Sequence, residues 1–257
     1  MLIANYHTHT PRCLHARGAE EEYIEAALQS GMKILGFSDH APQWFPGDYY
    51  SGMRMRPEQL PEYCDTIRNL KKQYAGQMDI LLGVEAEYYP AIFGELVKHL
   101  RDQGVEYMIM GQHWAGNEIG EVYSGRPNGD EAFLQRHCHQ VIEAMNTGLF
   151  TYIAHPDTFN FTGEAKTYER HIRPLCQEAK NCDIPLEINL LGLGEGRHYP
   201  NHRFWQIAAE ENCRCVIGFD AHTPGVLADT SVYNRALEIV TQYGLELLDT
   251  VPLRSID

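Results

Sequence analysis

Leu2-Ile3-Ala4-Asn5-Tyr6-His7-Thr8-His9 is a short, mostly apolar run that ends on two histidines, and the same construction recurs along the chain. The run at 34–38 leads into Ser38-Asp39-His40, the run at 80–85 ends in Gly83-Val84-Glu85, and 107–111 leads into Gly111-Gln112-His113. The runs at 151–154 and 216–219 are followed by His155-Pro156 and Asp220-Ala221-His222. A seventh run, 186–189, has no such residue behind it. With the first strand placed at 2–6, all seven are of strand length. Between them lie helical patterns at roughly 20–30, 58–75, 91–103, 130–147, 167–182, 201–212 and 230–243. Pro57 and Pro61 open one of these, Gly31 closes another after Ser30, and Gly148 and Gly244 each follow a periodic segment.

A strand–helix order repeated from end to end implies parallel strands joined by right-handed crossovers. No linker, low-complexity tract or internal repeat interrupts it, so residues 1–257 read as one closed α/β barrel, a single domain. In such a barrel the carboxyl ends of the strands share one face, where sites are built. The longest irregular stretch is Ala41-Pro-Gln-Trp-Phe-Pro-Gly-Asp-Tyr-Tyr-Ser-Gly-Met-Arg-Met-Arg56. A loop of that length in a compact domain is either a lid or a surface excursion, and the residues leave both open.

Bulk properties narrow the partners. The chain has 35 acidic against 21 basic residues, a formal charge of −14, which repels a phosphate backbone and argues against a nucleic-acid polymer. A small anion stays admissible where metal ions supply local positive charge. No window approaches the ~18 apolar residues of a membrane span. The opening MLIANYHTHT has neither a basic stretch nor an apolar signal segment, so the expected location is cytoplasmic. Seven cysteines without a CxxC pair read as reduced thiols that mostly fill core. Cys13 is the one to watch, because it lies between His9 and His15.

Thirteen histidines are many for this length. In extended chain, residues i and i+2 point the same way, so His7 and His9 face one centre, as do Asp220 and His222. Imidazole and carboxylate donors suit Zn²⁺, Mn²⁺ or Fe²⁺, and the absence of a thiolate set argues against a structural zinc knuckle. His7, His9, His15, His40, Glu85, His113, His155, Asp220 and His222 are too many for one ion; two or three ions with open positions fit better. A single histidine is more often a packing residue than a ligand, but seven aligned with strand ends are not accounted for that way. Of the others, His99, His171, His198 and His202 fall in helical or loop patterns, and His137 and His139 lie mid-helix, where i and i+2 diverge, and are expected to be solvated. Glu87 shares a face with Glu85 and is expected to orient ligands.

In this order HTH, SDH, GVE, GQH, AHP and DAH resemble the motifs of the PHP (polymerase and histidinol phosphatase) superfamily, most of all its histidinol-phosphatase branch. The stretch MRMRPEQLPEYCDTIRNLKKQY leading into GVEAEYYP adds to the likeness, which runs over nearly the whole chain. The resemblance implies a distorted (β/α)7 barrel with up to three divalent metals. It would give the first His7, His9, Glu85 and Asp220, the second Glu85, His113 and His155, and the third His15, His40 and His222. It implies hydrolysis of L-histidinol phosphate in histidine biosynthesis, or of another small phosphate ester or nucleotide, with Glu85, Asp220 and His222 catalytic. The chemistry is coherent: neighbouring ions acidify a bridging water, and the hydroxide attacks phosphorus in line.

An arginine should hold the phosphoryl oxygens that the metals leave free. Arg197, after the seventh run's position in the order of strands (the sixth strand), is the first choice, with Arg54, Arg12, Arg17 and Arg126 behind it. Members of the branch carry an arginine soon after an Asn-x-x-Gly-Leu segment, whereas this chain has Gly194 there, so either Arg197 substitutes or the phosphate pocket differs. The aromatics at 44–50 are suited to cap an imidazole, with Asp48 near a substrate amine. Two other classes fit less well. An amidohydrolase, which also opens on HxH, wants a bridging lysine where this chain has Glu85. A non-catalytic relative would have lost ligands, and here every position is filled. The residues carry no sign of the oligomeric state.

Overall fold

The seven apolar runs become seven parallel strands, β1 Ala4–Asn5, β2 Ile34–Phe37, β3 Asp79–Ala86, β4 Tyr107–Met110, β5 Phe150–Ile153, β6 Leu186–Asn189 and β7 Arg214–Gly218, in a computed structural model that describes residues 2–256. They pair in chain order, each with its successor. The main crossovers are α1 Glu20–Gln29, α2 Leu60–Gln73, α3 Phe93–Asp102, α4 Glu131–Asn146, α5 Ala165–Asn181, α7 His202–Glu210 and, after β7, α8 Thr230–Tyr243. Among the strands and α-helices, two were not expected. α6, Leu190–Glu195, spells Leu-Leu-Gly-Leu-Gly-Glu, and its two glycines disguise a single turn and a half as loop. β8, Glu246–Leu247, is a two-residue strand on the β7 edge, too short to leave a pattern.

The ring closes at one end only. Beyond the last residues of β7 and β1, Ala221 bridges Thr8 in parallel, with the His9 N–H donating to the Ala221 carbonyl (2.9 Å) and the Ala221 N–H to His7 (3.1 Å). At the other end β7 pairs instead with β8, and the chain after it covers the gap, where the Val251 N–H donates to the Tyr6 hydroxyl (3.2 Å). This is a seven-stranded barrel distorted by splitting between its first and last strands. The closed end is the carboxyl mouth, so the histidines after β1 and β7 are held beside each other by backbone hydrogen bonds.

Strand parity sorts the core into two parts. Ile80, Leu82 and Val84 of β3 face outward and meet Tyr63, Cys64 and Ile67 of α2 and Leu96 of α3. Burial of each such side chain contributes roughly 1.5–3 kcal/mol. Leu81 faces inward, with Tyr6, Tyr107, Ile109, Tyr152 and Val216. The rings of Tyr107 and Tyr152 lie edge-on to Tyr6 at 6.2 and 6.4 Å, and the Tyr107 hydroxyl donates to the Tyr6 carbonyl (2.8 Å). These tyrosines floor the barrel, and the inward positions above them are polar.

Two expectations change. His137 is buried, because α4 packs Phe133, Leu134, His137, Cys138 and Val141 inward at helical spacing, with the His137 ring 5.1 Å from that of Phe159. His139, on the opposite face, is exposed. The 41–56 loop packs on the barrel. Trp44 stacks on His99 of α3 (4.0 Å between rings), Phe45 meets Tyr49 edge-on, and the Tyr49 hydroxyl donates to Glu118 (2.9 Å). None of these rings lines the cavity at the carboxyl mouth, so they do not cap a ligand held there. Among the described residues no helix is long and apolar enough to cross a membrane.

Candidate metal centre

The polar layer at the carboxyl mouth is organised around Glu85, the inward residue near the end of β3. Its Oε2 lies 3.6 Å from Nε2 of both His7 and His9 and 2.8 Å from His40 Nδ1. Its Oε1 faces the other way, 2.8 Å from His155 Nε2 and 3.9 Å from His113 Nε2. Asp220 Oδ1 completes the first side, 3.4 Å from His7 Nε2 and 3.0 Å from His9 Nε2. One carboxylate thus faces two sets of imidazoles. Farther out, His9, His40 and His222 also bring ligand atoms within 4.8 Å of one another, as do Cys13, His15 and His222. All nine residues singled out in the sequence fall in this one cluster or at its rim.

The outward ring nitrogens are already engaged. His7 Nδ1 bonds Glu187 (2.9 Å), His9 Nδ1 faces Asp39 (3.4 Å), and His113 Nδ1 bonds Glu87 (3.1 Å). The Thr158 hydroxyl donates its proton to the His155 carbonyl (2.7 Å), so its oxygen accepts from His155 Nδ1–H (2.8 Å). His15 and His222 donate from Nδ1 to the carbonyls of Cys13 (2.7 Å) and Asp220 (2.9 Å). Each of these rings thus turns Nε2 toward the centre, that of His155 lying against Glu85 Oε1 (2.8 Å). Fixing the tautomer and aim of an imidazole from behind is what outer partners of metal ligands do.

Apart from the His155–Glu85 contact, the inward atoms around Glu85 and Asp220 are poorly partnered. Among the described residues the buried side-chain atoms lacking a hydrogen bond include His7 Nε2, His9 Nε2, His40 Nδ1, Glu85 Oε2, Asp220 Oδ1 and His222 Nε2. A buried polar atom left unpaired costs about 1–3 kcal/mol, so six in one cluster call for something that satisfies them together. Metal–nitrogen bonds of about 2.0–2.1 Å place tetrahedral ligands about 3.3 Å apart, close to the spacings above. The donor set fits divalent transition metals.

The electrostatics agree. Burial opposes charge on His7, but the Glu187, Asp220 and Glu85 carboxylates outweigh it and raise the imidazole to about 10. Burial pushes Glu85 and Asp220 up, yet the imidazoles around them hold both well below the usual carboxylate range. His40 goes the other way, driven down by its own burial. A knot of buried carboxylates that draws protons onto its neighbours is one that metal cations can occupy with release of those protons.

Two ligand-type residues sit in strained backbone: His155 at φ +30° and Asp220 at φ +51°. Such conformations cost on the order of 1–3 kcal/mol in a non-glycine residue and concentrate at functional sites. Two glycines make room instead. A Cβ on Gly111 would come within 1.7 Å of Glu85 Oε1, and one on Gly218 within 1.9 Å of Glu187 Oε1. The strand-end glycines thus let the two buried carboxylates lie against neighbouring backbone.

Above the cluster opens a cavity of about 530 Å³, walled by Trp114, Tyr123, Tyr199, Met53, Glu195 and Arg197. Arg197, exposed at the mouth, pairs with Glu195 (2.7 Å) and donates to the Tyr199 hydroxyl (2.9 Å). It lines the cavity together with Leu191 and Glu195 of α6. Arg54 and Asp48 differ from expectation. Arg54 is buried between Glu87 (2.8 Å) and Glu118 (2.7 Å), with its guanidinium committed to them. Asp48 is exposed in a loop of which only Gly52 and Met53 reach the cavity wall. Arg12 is pinned by Glu20 and Glu62.

Glu187, Asp39, Asn189 and Thr158 escaped the reading of the sequence. Asn189 holds Glu187 (2.9 Å) and Asp220 (3.2 Å) together. A signal was present: in β6, Leu-Glu-Ile-Asn, the two polar residues alternate onto the inner face, where a strand carrying no ligand has no other use for them.

The sequence profile described as "PHP domain" matches residues 5–190. A Deinococcus radiodurans protein named "Probable histidinol-phosphatase" is 32% identical over 232 residues, covering 87% of each chain. A Schizosaccharomyces pombe protein of the same name is 26% identical over 245 residues, covering 85% of this chain and 80% of that one. Among solved structures, a histidinol phosphate phosphatase from Lactococcus lactis, complexed with zinc, L-histidinol and phosphate, matches with a TM-score of 0.75 at 17% identity, covering 99% of this chain and 97% of that one. At that identity the likeness speaks for the fold.

Proposed function

The chain belongs to the PHP domain family, and from that premise we propose that it is a single-domain, cytoplasmic, metal-dependent phosphomonoesterase that hydrolyses L-histidinol phosphate to L-histidinol and phosphate. The observation that carries the reading is the set of six unpartnered ligand atoms gathered around a carboxylate whose two oxygens face two sets of imidazoles. His7, His9, Glu85 and Asp220 would hold one ion, Glu85, His113 and His155 a second, and His15, His40 and His222 a third.

When bound, such ions supply a water-derived nucleophile near neutral pH and positive charge against the phosphoryl oxygens. The chain's own groups do the rest. Glu187, Asp39, Glu87 and Thr158 keep the histidines aimed, so no reorganisation is needed as charge develops. Asp220, tied through Oδ2 to Asn189, presents Oδ1 to the centre and is placed to take a proton from the attacking water. Arg197 exchanges its pairing with Glu195 for a phosphoryl oxygen. Tyr123, Tyr199 and Trp114 offer flat walls to an imidazole-bearing alcohol, taking the part expected of the 44–50 aromatics. The charge of −14 attracts a substrate whose amine is protonated.

The test is kcat/KM for L-histidinol phosphate against AMP, a sugar phosphate and p-nitrophenyl phosphate, on protein whose metal content is measured in the same sample. Preference for histidinol phosphate is expected. A tenfold preference for another ester would move the chain to a different substrate of the same chemistry, and no turnover of any ester by metal-replete protein would end the reading.

A further inference from the structure

Between His9 and His15 the chain makes a single 3₁₀ turn, Pro11–Cys13, which tucks Cys13 wholly inside. Its surroundings set it apart from the other cysteines. Cys64, Cys138, Cys176, Cys213 and Cys215 belong to the hydrophobic core between barrel and helices, and Cys182 packs against it. Cys13 lies among imidazoles: its sulfur and one ring nitrogen each of His15 and His222 are all within 4.8 Å of one another. His15 and His222 have spent Nδ1 on the carbonyls of Cys13 and Asp220, so Nε2 is the nitrogen each ring has free, and that of His222 is buried without a partner. The sulfur accepts the Ala16 N–H (3.3 Å), a bond that favours sulfur as an acceptor. Nothing in the motif resemblance assigns this residue to a metal.

We propose that Cys13 is a thiolate ligand of the ion held by His15 and His222, so that the outermost position of the centre has a sulfur donor. The inference rests on the reading of the cluster as a metal centre and is independent of the substrate. Binding exchanges the thiol proton, released to solvent, for a metal–sulfur bond. A thiolate favours zinc, iron(II) and cobalt over manganese and magnesium, so this position is the most selective of the three while the all-nitrogen-and-oxygen positions accept harder ions.

Cobalt(II) reports directly on sulfur ligation. Holoprotein reconstituted with cobalt to saturation should show an intense near-ultraviolet sulfur-to-cobalt charge-transfer band. The band should be lost in Cys13→Ser and kept in Cys182→Ser. Zinc titration of Cys13→Ser should weaken one equivalent by at least the roughly 10- to 100-fold that loss of a mere outer partner costs, leaving the others unchanged. Manganese binding should hardly differ between wild type and variant. Absence of the band in cobalt-saturated wild type, or its survival in Cys13→Ser, overturns the proposal. If Cys13→Ser does not fold, as judged by circular dichroism, the wild-type spectrum and Cys13→Ala decide. Failure to hydrolyse histidinol phosphate would leave the band in place, so the two readings fail separately.

Discussion

Replacing Arg54 by methionine separates a structural arginine from a substrate-binding one. The side chain is buried, its Nη2 lies 2.8 Å from Glu87 and 2.7 Å from Glu118, its Nε is 3.0 Å from Glu118, and its Nη1 donates to the Ala41 carbonyl (3.3 Å). Methionine keeps most of the stem and removes the charge. Two buried carboxylates then lose the cation they share. Removing one partner of a buried pair costs about 3–5 kcal/mol. The upper sum for two acids is not reached, because Glu87 keeps His113 and Tyr89, and Glu118 keeps Tyr49. About 3–5 kcal/mol is thus the expected total, a large part of the roughly 5–15 kcal/mol that holds a domain folded. With a urea slope near 3 kcal/mol/M this moves the midpoint down by about 1–2 M.

The assay is urea unfolding followed by circular dichroism on matched metal-free samples. Arg54→Met/Glu118→Gln should recover part of the loss, since one uncompensated charge is gone. Activity should fall as well, because Glu87 accepts from both Arg54 and His113, and without Arg54 the carboxylate that aims that ring is itself held by fewer partners. An arginine that met substrate would behave in the opposite way, raising KM at unchanged stability. A loss of stability below about 1 kcal/mol would refute the buried-pair argument.

Glu85→Gln keeps the shape and removes the shared anion, so elemental analysis should find metal lost together with activity, the latter by at least roughly 100-fold; full metal content with full activity would contradict the bridging role. Arg197→Ala should lower kcat/KM by roughly 10- to 100-fold with metal content intact, the size of one charge-assisted hydrogen bond, and unchanged kinetics would exclude it from phosphate binding. His137, pushed down to about 4 by burial, stays neutral in the fold while the unfolded chain protonates near 6.5, so stability is lost as pH falls through that window. Relative to His137→Leu, wild type should lose about 2 kcal/mol between pH 7.5 and pH 5 in urea titrations, and an equal change in both proteins would show that the imidazole is not held neutral.

The barrel was legible because backbone direction does the ordering. In a parallel barrel every strand delivers its carboxyl end to one face, so a histidine or acid at each apolar run's end predicts a shared site without knowledge of any contact. The period of two then brought His7 with His9 and Asp220 with His222. What stayed hidden depends on partners far off in sequence. The acid behind His7 is Glu187, 180 positions away, and Arg54 is committed to acids 33 and 64 positions on. Composition alone does not distinguish an arginine so buried from one at a pocket mouth, and the aromatics of the 41–56 loop raised the same ambiguity, decided by His99 under Trp44.

His137 shows a different kind of error, since its signal was present and was not used. Phe133, Leu134, Cys138, Val141, Ala144 and Met145 mark one face of α4 at helical spacing, and position 137 falls on that face. Divergence of positions 137 and 139 on a helix excludes a paired site, but it sends only one of the two rings to solvent, and both were expected there. The same two-residue spacing means convergence after β1 and divergence in α4, so a motif of this kind acquires chemical meaning only once the element carrying it is known. At the mouth that element also decides which ring nitrogen is free: strand ends set a histidine's direction, but Glu187, Asp39, Glu87 and Thr158 spend its Nδ1 and leave Nε2 for the centre. The residues able to bind metal can therefore be read one strand at a time, whereas their readiness to bind belongs to the closed barrel.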